Sequence, residues 1–257
     1  MSGPARRAEY LQALGIDCWV PRTALTCAAA APVEPAHGPA ESPAKPLVSA
    51  SPRRAGEAGA AEVWEQLREQ VRRCTACALH ETRTQAVFGV GNAHAEWMVI
   101  GEAPGAEEDR RGEPFVGRAG QLLDAMLRAI GLSRETNVYI ANILKSRPPG
   151  NRDPRPEEVA ACLPYLHRQI ALVRPKLLLA VGRIAAQTLL GTDAPLGRLR
   201  GRAHAFAEHN VPLVVTYHPA YLLRSPAEKR KAWEDLQFAR SLFAQIRTPE
   251  PNDGHCS

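Results

Sequence analysis

A chain of 257 residues, 45% of them hydrophobic, is long enough for one sizeable folded domain with appendages. No apolar run approaches the ~18 residues that would cross a membrane, and Glu9, Gln12 and Asp17 interrupt any secretion signal around Arg6 and Arg7, so the expected location is cytoplasmic. A net charge of +5 and a pI of about 9.0 fit nucleic-acid binding without requiring it. With no export signal, the six cysteines (18, 27, 74, 77, 162 and 256) argue against a disulfide framework, and any close pair reads as metal or cluster ligands.

In chain order, residues 1–27 form a short N-terminal segment. Tyr10, Leu11, Leu14 and Ile16 make one apolar face within residues 4–22, too short for a helix that is stable alone. It either packs on its own domain or docks on a partner. Leu14-Gly15-Ile16 followed by Trp19 is similar to the N-terminal peptide of the psi subunit of bacterial DNA polymerase III, which implies contact with a replisome protein. Residues 28–60 are rich in Ala, Pro, Ser and Glu and nearly free of large apolar side chains, the composition of a flexible linker. The folded domain is expected over 61–247, with 248–257 as a disordered tail.

Val63, Trp64, Leu67 and Val71 lie at helical spacing over 61–73. The helix runs into Cys74-Thr75-Ala76-Cys77. Strands are predicted at Val87–Val90 and Trp97–Ile100, then a long loop, Gly101 to Gly120. That loop is longer than a plain connection of roughly 2–6 residues and carries glycines, acids and one aromatic, Phe115. A helix follows over about 118–130, a strand over Asn137–Leu144, and a turn over 147–154. A helix over about 156–173 opens with Pro156, Glu157 and Glu158. Leu177–Val181 is a strand, 183–190 a helix, Ala203–Ala207 and Pro212–Tyr217 two more strands, and about 226–246 the last helix. This alternation predicts a three-layer α/β/α sandwich with a central, mostly parallel sheet. Ligands of such sheets sit beyond the carboxyl ends of the strands. The Gly101–Gly120 loop, Asn142 and His218 all lie at such ends.

Cys74 and Cys77 can reach one metal or cluster, and Cys162 can fold back to join them. A [4Fe–4S] cluster or a structural zinc wants four ligands, and three are in view; buried free thiols are the plain alternative. The chain also resembles the family 4 uracil-DNA glycosylases, the iron–sulfur branch of the uracil-DNA glycosylase superfamily. The resemblance covers about 61–245 and rests on five blocks. These are Cys74-x-x-Cys77, GEAPGAEEDRRGEPFVGRAGQLL from Gly101, ANILKSRPPGNRDP from Ala141, ACLPYL around Cys162, and HPAYLLR from His218.

The resemblance implies hydrolysis of the N-glycosidic bond of deoxyuridine in DNA, with uracil released and an abasic site left. It implies a structural [4Fe–4S] cluster on Cys74, Cys77 and Cys162. The fourth cluster position carries Ser146 where the family has cysteine, a harder and poorer iron ligand. It implies a uracil pocket made by Gly101, Glu108, Phe115, Asn142 and His218, with Glu102 and His218 catalytic.

The chemistry suits these residue types. A flipped base has a π-face on which Phe115 can stack, although a lone phenylalanine can equally be core. The Asn142 amide can accept from uracil N3–H and donate to O4, a pattern cytosine inverts; alone, such an asparagine is usually a turn residue. His218 can donate to O2, where negative charge gathers as the bond breaks. Glu102 can supply an anion near the sugar, and Glu108 can wall off the C5 edge. Glu107 and Asp109 read as a solvated acidic face. Phosphate contacts are expected from Lys145, Arg147, Arg152, Arg200 and Arg224, with Arg198 and Arg202 nearby. Leu222, Leu223 or Arg224 can fill the gap left by the flipped base. A monomer is expected. A non-catalytic DNA- or replisome-binding adaptor on the same fold is the alternative reading.

Overall fold

The computed structural model describes residues 55–247, the first six by backbone alone. The N-terminal segment, most of the predicted linker, Cys18, Cys27, Cys256 and the tail lie outside the described residues. The first helix, α1, spans Ala55–Arg72 and so starts six residues inside the predicted linker. Its opening residues, AGEAGA, include three alanines, the best helix former, and extend a helix already anchored by the buried Leu67 and Val71. A short helix α2 (Leu79–Thr82) follows the cysteine pair.

Six strands form one sheet in the order β1-β3-β2-β4-β6-β5. They are β1 (Val90–Gly91), β2 (Trp97–Gly101), β3 (Val138–Asn142), β4 (Leu177–Val181), β5 (Ala203–Phe206) and β6 (Val211–Thr216). The four central strands are parallel, and the two edge strands run antiparallel to their neighbours. The predicted strand at Val87–Val90 shrinks to Val90–Gly91. The preceding backbone is claimed elsewhere: the Val87 N–H donates to the Lys145 carbonyl at 2.8 Å, and the Phe88 carbonyl accepts from Gln169 Nε2 at 2.9 Å.

Every residue of β2, β3 and β4 is buried, as a parallel sheet covered on both faces requires. Alternation assigns each side chain to a layer. Met98, Ile100, Tyr139, Ala141, Leu178 and Ala180 face one core with Leu166 and Ile170 of α5 (Pro156–Val173) and Ala185 and Ala186 of α6 (Arg183–Leu190). Trp97, Val99, Val138, Ile140, Leu177 and Leu179 face the other, with Leu123 and Met126 of α4 (Arg118–Ala129) and Leu236 and Ala239 of α9 (Lys229–Arg247). The sandwich is therefore the one expected. A one-turn helix α7 (Leu196–Leu199) precedes β5, and α8 (Pro219–Arg224) follows β6.

The long loop after β2 is not wholly irregular. A helix, α3, spans Ala106–Arg111 inside it. Acids at 107–109 near its N-terminus and Arg110 and Arg111 near its C-terminus complement the helix dipole, and Gly112 closes it at φ 79°. Asp109 is not solvated: it is buried and accepts the Thr84 N–H at 2.9 Å, tying α3 to the segment after α2. Glu107 is exposed and pairs with Arg110.

Candidate active site

A cavity of about 420 Å³ opens at the carboxyl ends of β2, β3 and β6, and its wall includes Glu102, Glu108, Phe115, Asn142, His218 and Arg224. A larger groove of about 780 Å³ lies past α3 near β1. Its wall carries Trp64, His80 and Gln85, but it lies away from the strand ends where Phe115, Asn142 and His218 meet.

Gly101 and Asn142 are paired neighbours at the ends of β2 and β3. A Cβ on Gly101 would come within 2.5 Å of Asn142 Oδ1 and 2.7 Å of the Phe115 ring, so a hydrogen is all that fits between amide and aromatic. Asn142 is 97% buried, being only 3% exposed, and its Oδ1 finds no hydrogen-bond partner among the described residues. A buried acceptor left open costs roughly 1–3 kcal/mol unless something else fills it. It faces a cavity where a ligand N–H can do so.

Phe115 is held in an uncommon backbone conformation, φ 55°. Three groups hold it there. The Glu108 carboxylate accepts the Val116 and Gly117 N–H groups at 3.1 and 3.3 Å. Arg134 Nη2 donates to the Phe115 carbonyl at 2.9 Å while its Nε donates to Asp124 at 2.7 Å. Gly120 lies so close below that a Cβ would sit 1.7 Å from the Phe115 oxygen. Glu108 thus lines the cavity and also fixes the loop that carries the ring. Arg134 and Asp124 gave no sign in the sequence, because ordinary surface charges look the same.

His218 opens α8 as its N-cap. Its Nδ1 accepts the Ala220 N–H at 3.1 Å. The remaining ring nitrogen, Nε2, must then carry the proton of the neutral imidazole. Burial, with Arg224 adding to it, pushes the His218 pKa down to about 4. The imidazole is therefore neutral at physiological pH, with its ring 5.5 Å from that of Phe115. Gly182, at φ 99°, lets β4's exit pass this close, since its Cβ would lie 3.0 Å from that of His218.

Glu102 follows Gly101 directly. Burial pushes its carboxyl up to about 7, the nearby Asp153 carboxylate pushes the same way, and Arg183 opposes both. Asp153 and Arg183 are themselves paired at 2.7 Å.

The expected phosphate contacts divide. Lys145 is withdrawn from that role: it is 1% exposed, and its Nζ donates to the Asn142 carbonyl at 2.7 Å and to Gln169 Oε1 at 2.6 Å. Burial brings its pKa down to about 7. The Lys145 stem follows the chain inward from β3, so a basic residue in a basic turn became an internal strut. Arg200 is also committed, to the fully buried Asp235 carboxylate at 2.9 Å and to the Lys231 carbonyl. Arg152 grips Glu158 with two nitrogens and still borders the cavity. Arg147 donates to Asn151 at 2.8 Å. Arg224 lines the mouth. Leu222 is buried in the α4–α9 core and cannot enter DNA, whereas Tyr221 and Leu223 of α8 are exposed.

On the α5 side of the sheet, Cys74 and Cys77 are half-buried and Cys162 is buried. Burial raises the Cys162 thiol, and the nearby Cys77 and Cys74 push it the same way. The Lys145 N–H reaches Cys162 Sγ at 3.5 Å. The adjacent Ser146 is buried, and its Oγ accepts from Arg83 at 2.8 Å; Arg83 also donates to the Cys74 carbonyl at 2.9 Å. These contacts gather three sulfurs and one oxygen around a common region. Three thiols and one hydroxyl are a mostly soft donor set with one hard position, the ligand types of a transition-metal or iron–sulfur site.

The sequence pattern of the Uracil DNA glycosylase superfamily matches residues 88–237. Three relatives described as Type-4 uracil-DNA glycosylases match most of the chain. That of Archaeoglobus fulgidus is 42% identical over 68% of this chain and 91% of its own length. The Pyrobaculum aerophilum protein is 44% identical over 67% and 90%, and the Thermotoga maritima protein 42% over 71% and 95%. With the strand-end cavity and the cysteine set, these matches place the chain in the uracil-DNA glycosylase superfamily, among its Type-4 members.

Proposed function

We propose that the protein is a monofunctional uracil-DNA glycosylase, hydrolysing the N-glycosidic bond of deoxyuridine in DNA to release uracil and leave an abasic site. The observation that carries this reading is the buried, open Oδ1 of Asn142 in the cavity that Phe115 and the fixed imidazole of His218 also line. In this reading uracil N3–H fills the open acceptor, the Asn142 NH₂ donates to O4, and Phe115 stacks on the ring. Cytosine, unprotonated at N3 and bearing an amino group at C4, leaves both positions mismatched.

As the C1′–N1 bond breaks, its electron pair moves onto uracil, and His218 Nε2–H donates to the O2 that gathers the charge. A neutral donor fits this task because it stabilises the leaving anion without giving up a proton. Ionised Glu102 stabilises the positive character at the sugar and accepts a proton from the water whose oxygen bonds to C1′. Arg224 and Arg147 position the DNA backbone, with Arg152 at the cavity edge.

Cys74, Cys77 and Cys162, with Ser146 in the fourth place, would hold a [4Fe–4S] cluster. When bound, such a cluster cross-links the turn between α1 and α2 to α5. The protein acts as a cytoplasmic monomer on uracil-containing DNA. Contact between residues 4–22 and a replisome protein rests on the sequence alone.

The test incubates purified protein and chelator with a labelled uracil-containing oligonucleotide and a thymine control, followed by alkali and a denaturing gel. Strand breaks at uracil only are expected. Folded protein that leaves the uracil strand intact would overturn the reading.

A further inference from the structure

On the face away from the uracil cavity, the turn between β5 and β6 (residues 207–210) folds against α5. Three side chains meet there. His167 comes from α5, and Glu208 and His209 come from the turn; one ligating atom from each lies within 4.8 Å of the others. His167 Nδ1 is in direct contact with the Glu208 carboxylate. The two imidazole rings lie 5.5 Å apart, tilted by 37°. The Phe206 ring packs against both, at 5.5 Å from each. None of the three borders the cavity, and none belongs to the cysteine cluster.

We propose that His167, Glu208 and His209 form a binding site for a divalent transition metal of the zinc class. Two imidazoles and a carboxylate are a ligand set suited to that ion, and three protein ligands leave a place for water or an outside group. Zinc bonds of about 2.0–2.2 Å need the donors somewhat nearer than 4.8 Å. Glu208 sits on a four-residue turn and is mostly exposed, so its carboxylate can swing from His167 Nδ1 onto an ion. Phe206 supplies an apolar wall that limits competing water. A metal here would clip the β5–β6 turn to α5, five residues along that helix from Cys162.

The test titrates zinc into the full-length protein against a chromophoric chelator, using wild type, His209→Ala and His167→Gln. The two variants alter different elements, so a folding defect in one leaves the other informative. Wild type is expected to bind one equivalent that each variant weakens at least about tenfold, some 1.4 kcal/mol. Cobalt(II) is expected to bind this site with visible absorption and no thiolate charge-transfer band. Equal zinc affinity in wild type and both variants overturns the proposal, as does cobalt that binds only with the thiolate band. These readouts stand whether or not the protein releases uracil.

Discussion

The pH profile of uracil release should report Glu102. Its carboxyl is raised to about 7 by burial and by Asp153, while His218 stays neutral down to about 4. If the ionised carboxylate serves the reaction, activity must rise with pH through about 7. A group titrating there is roughly one-tenth ionised at pH 6 and nine-tenths at pH 8, so kcat/KM should climb about tenfold across that interval. Single-turnover release from a uracil oligonucleotide isolates the chemical step from product release. Glu102→Gln should lose about 10²–10⁴ of the rate and abolish the rising limb. Asp153→Asn should move the limb to lower pH, because a repelling carboxylate is gone and Arg183 is freed. Stability gives an independent check. A carboxyl whose folded pKa is raised from 4.5 to about 7 lowers stability as pH rises between those values. Glu102→Gln should therefore melt higher than wild type at pH 8 and equally at pH 4. A flat wild-type profile from pH 5.5 to 8.5, or a Gln variant that keeps the limb, would refute the reasoning.

His218→Ala should cut single-turnover release by about 10²–10³, the usual loss of one leaving-group donor, with DNA affinity unchanged in a binding assay. Gly101→Ala places a Cβ 2.5 Å from Asn142 Oδ1 and 2.7 Å from Phe115, so one must move. A displacement near 1 Å at the pocket should lower kcat/KM by about 10², while circular dichroism stays native. Arg224→Gln should flatten the plot of log affinity against log salt by about 0.7–0.9, the share of one phosphate contact. Lys145→Met should leave that slope alone and lower the melting temperature, since two buried acceptors lose their donor at roughly 1–3 kcal/mol each.

The sheet was legible because its central strands are short apolar runs bounded by turn residues, and α5 because Pro156 and two glutamates mark its start. Which strand residue faces which layer was not legible, since runs such as Leu177–Val181 are apolar throughout. The helix α3 was hidden by its length, although the acid-then-arginine order of residues 107–111 suits a helix dipole. Of the site, Phe115, Asn142 and His218 were picked out through the family likeness. Their convergence comes from the ends of different strands and has no local signal. Lys145 shows the limit most plainly. A lysine beside arginines reads as a surface charge, and only the packed fold reveals that its ammonium is enclosed by an asparagine carbonyl and a glutamine.

That enclosure also joins two parts of the molecule. Cys162 and Gln169 lie on α5, about two turns apart. Gln169 holds Lys145, Lys145 holds the Asn142 carbonyl, and the Asn142 side chain faces the uracil cavity. The same helix meets the cysteine pair through Cys162, whose sulfur accepts from the Lys145 backbone. A shift of α5 would therefore reach the amide through a chain of buried polar contacts, none with solvent available to take its place. Packed interiors pass small displacements along instead of absorbing them. Ser146 adjoins Lys145 and lies four residues from Asn142, so a displacement at that position reaches the amide through the same contacts.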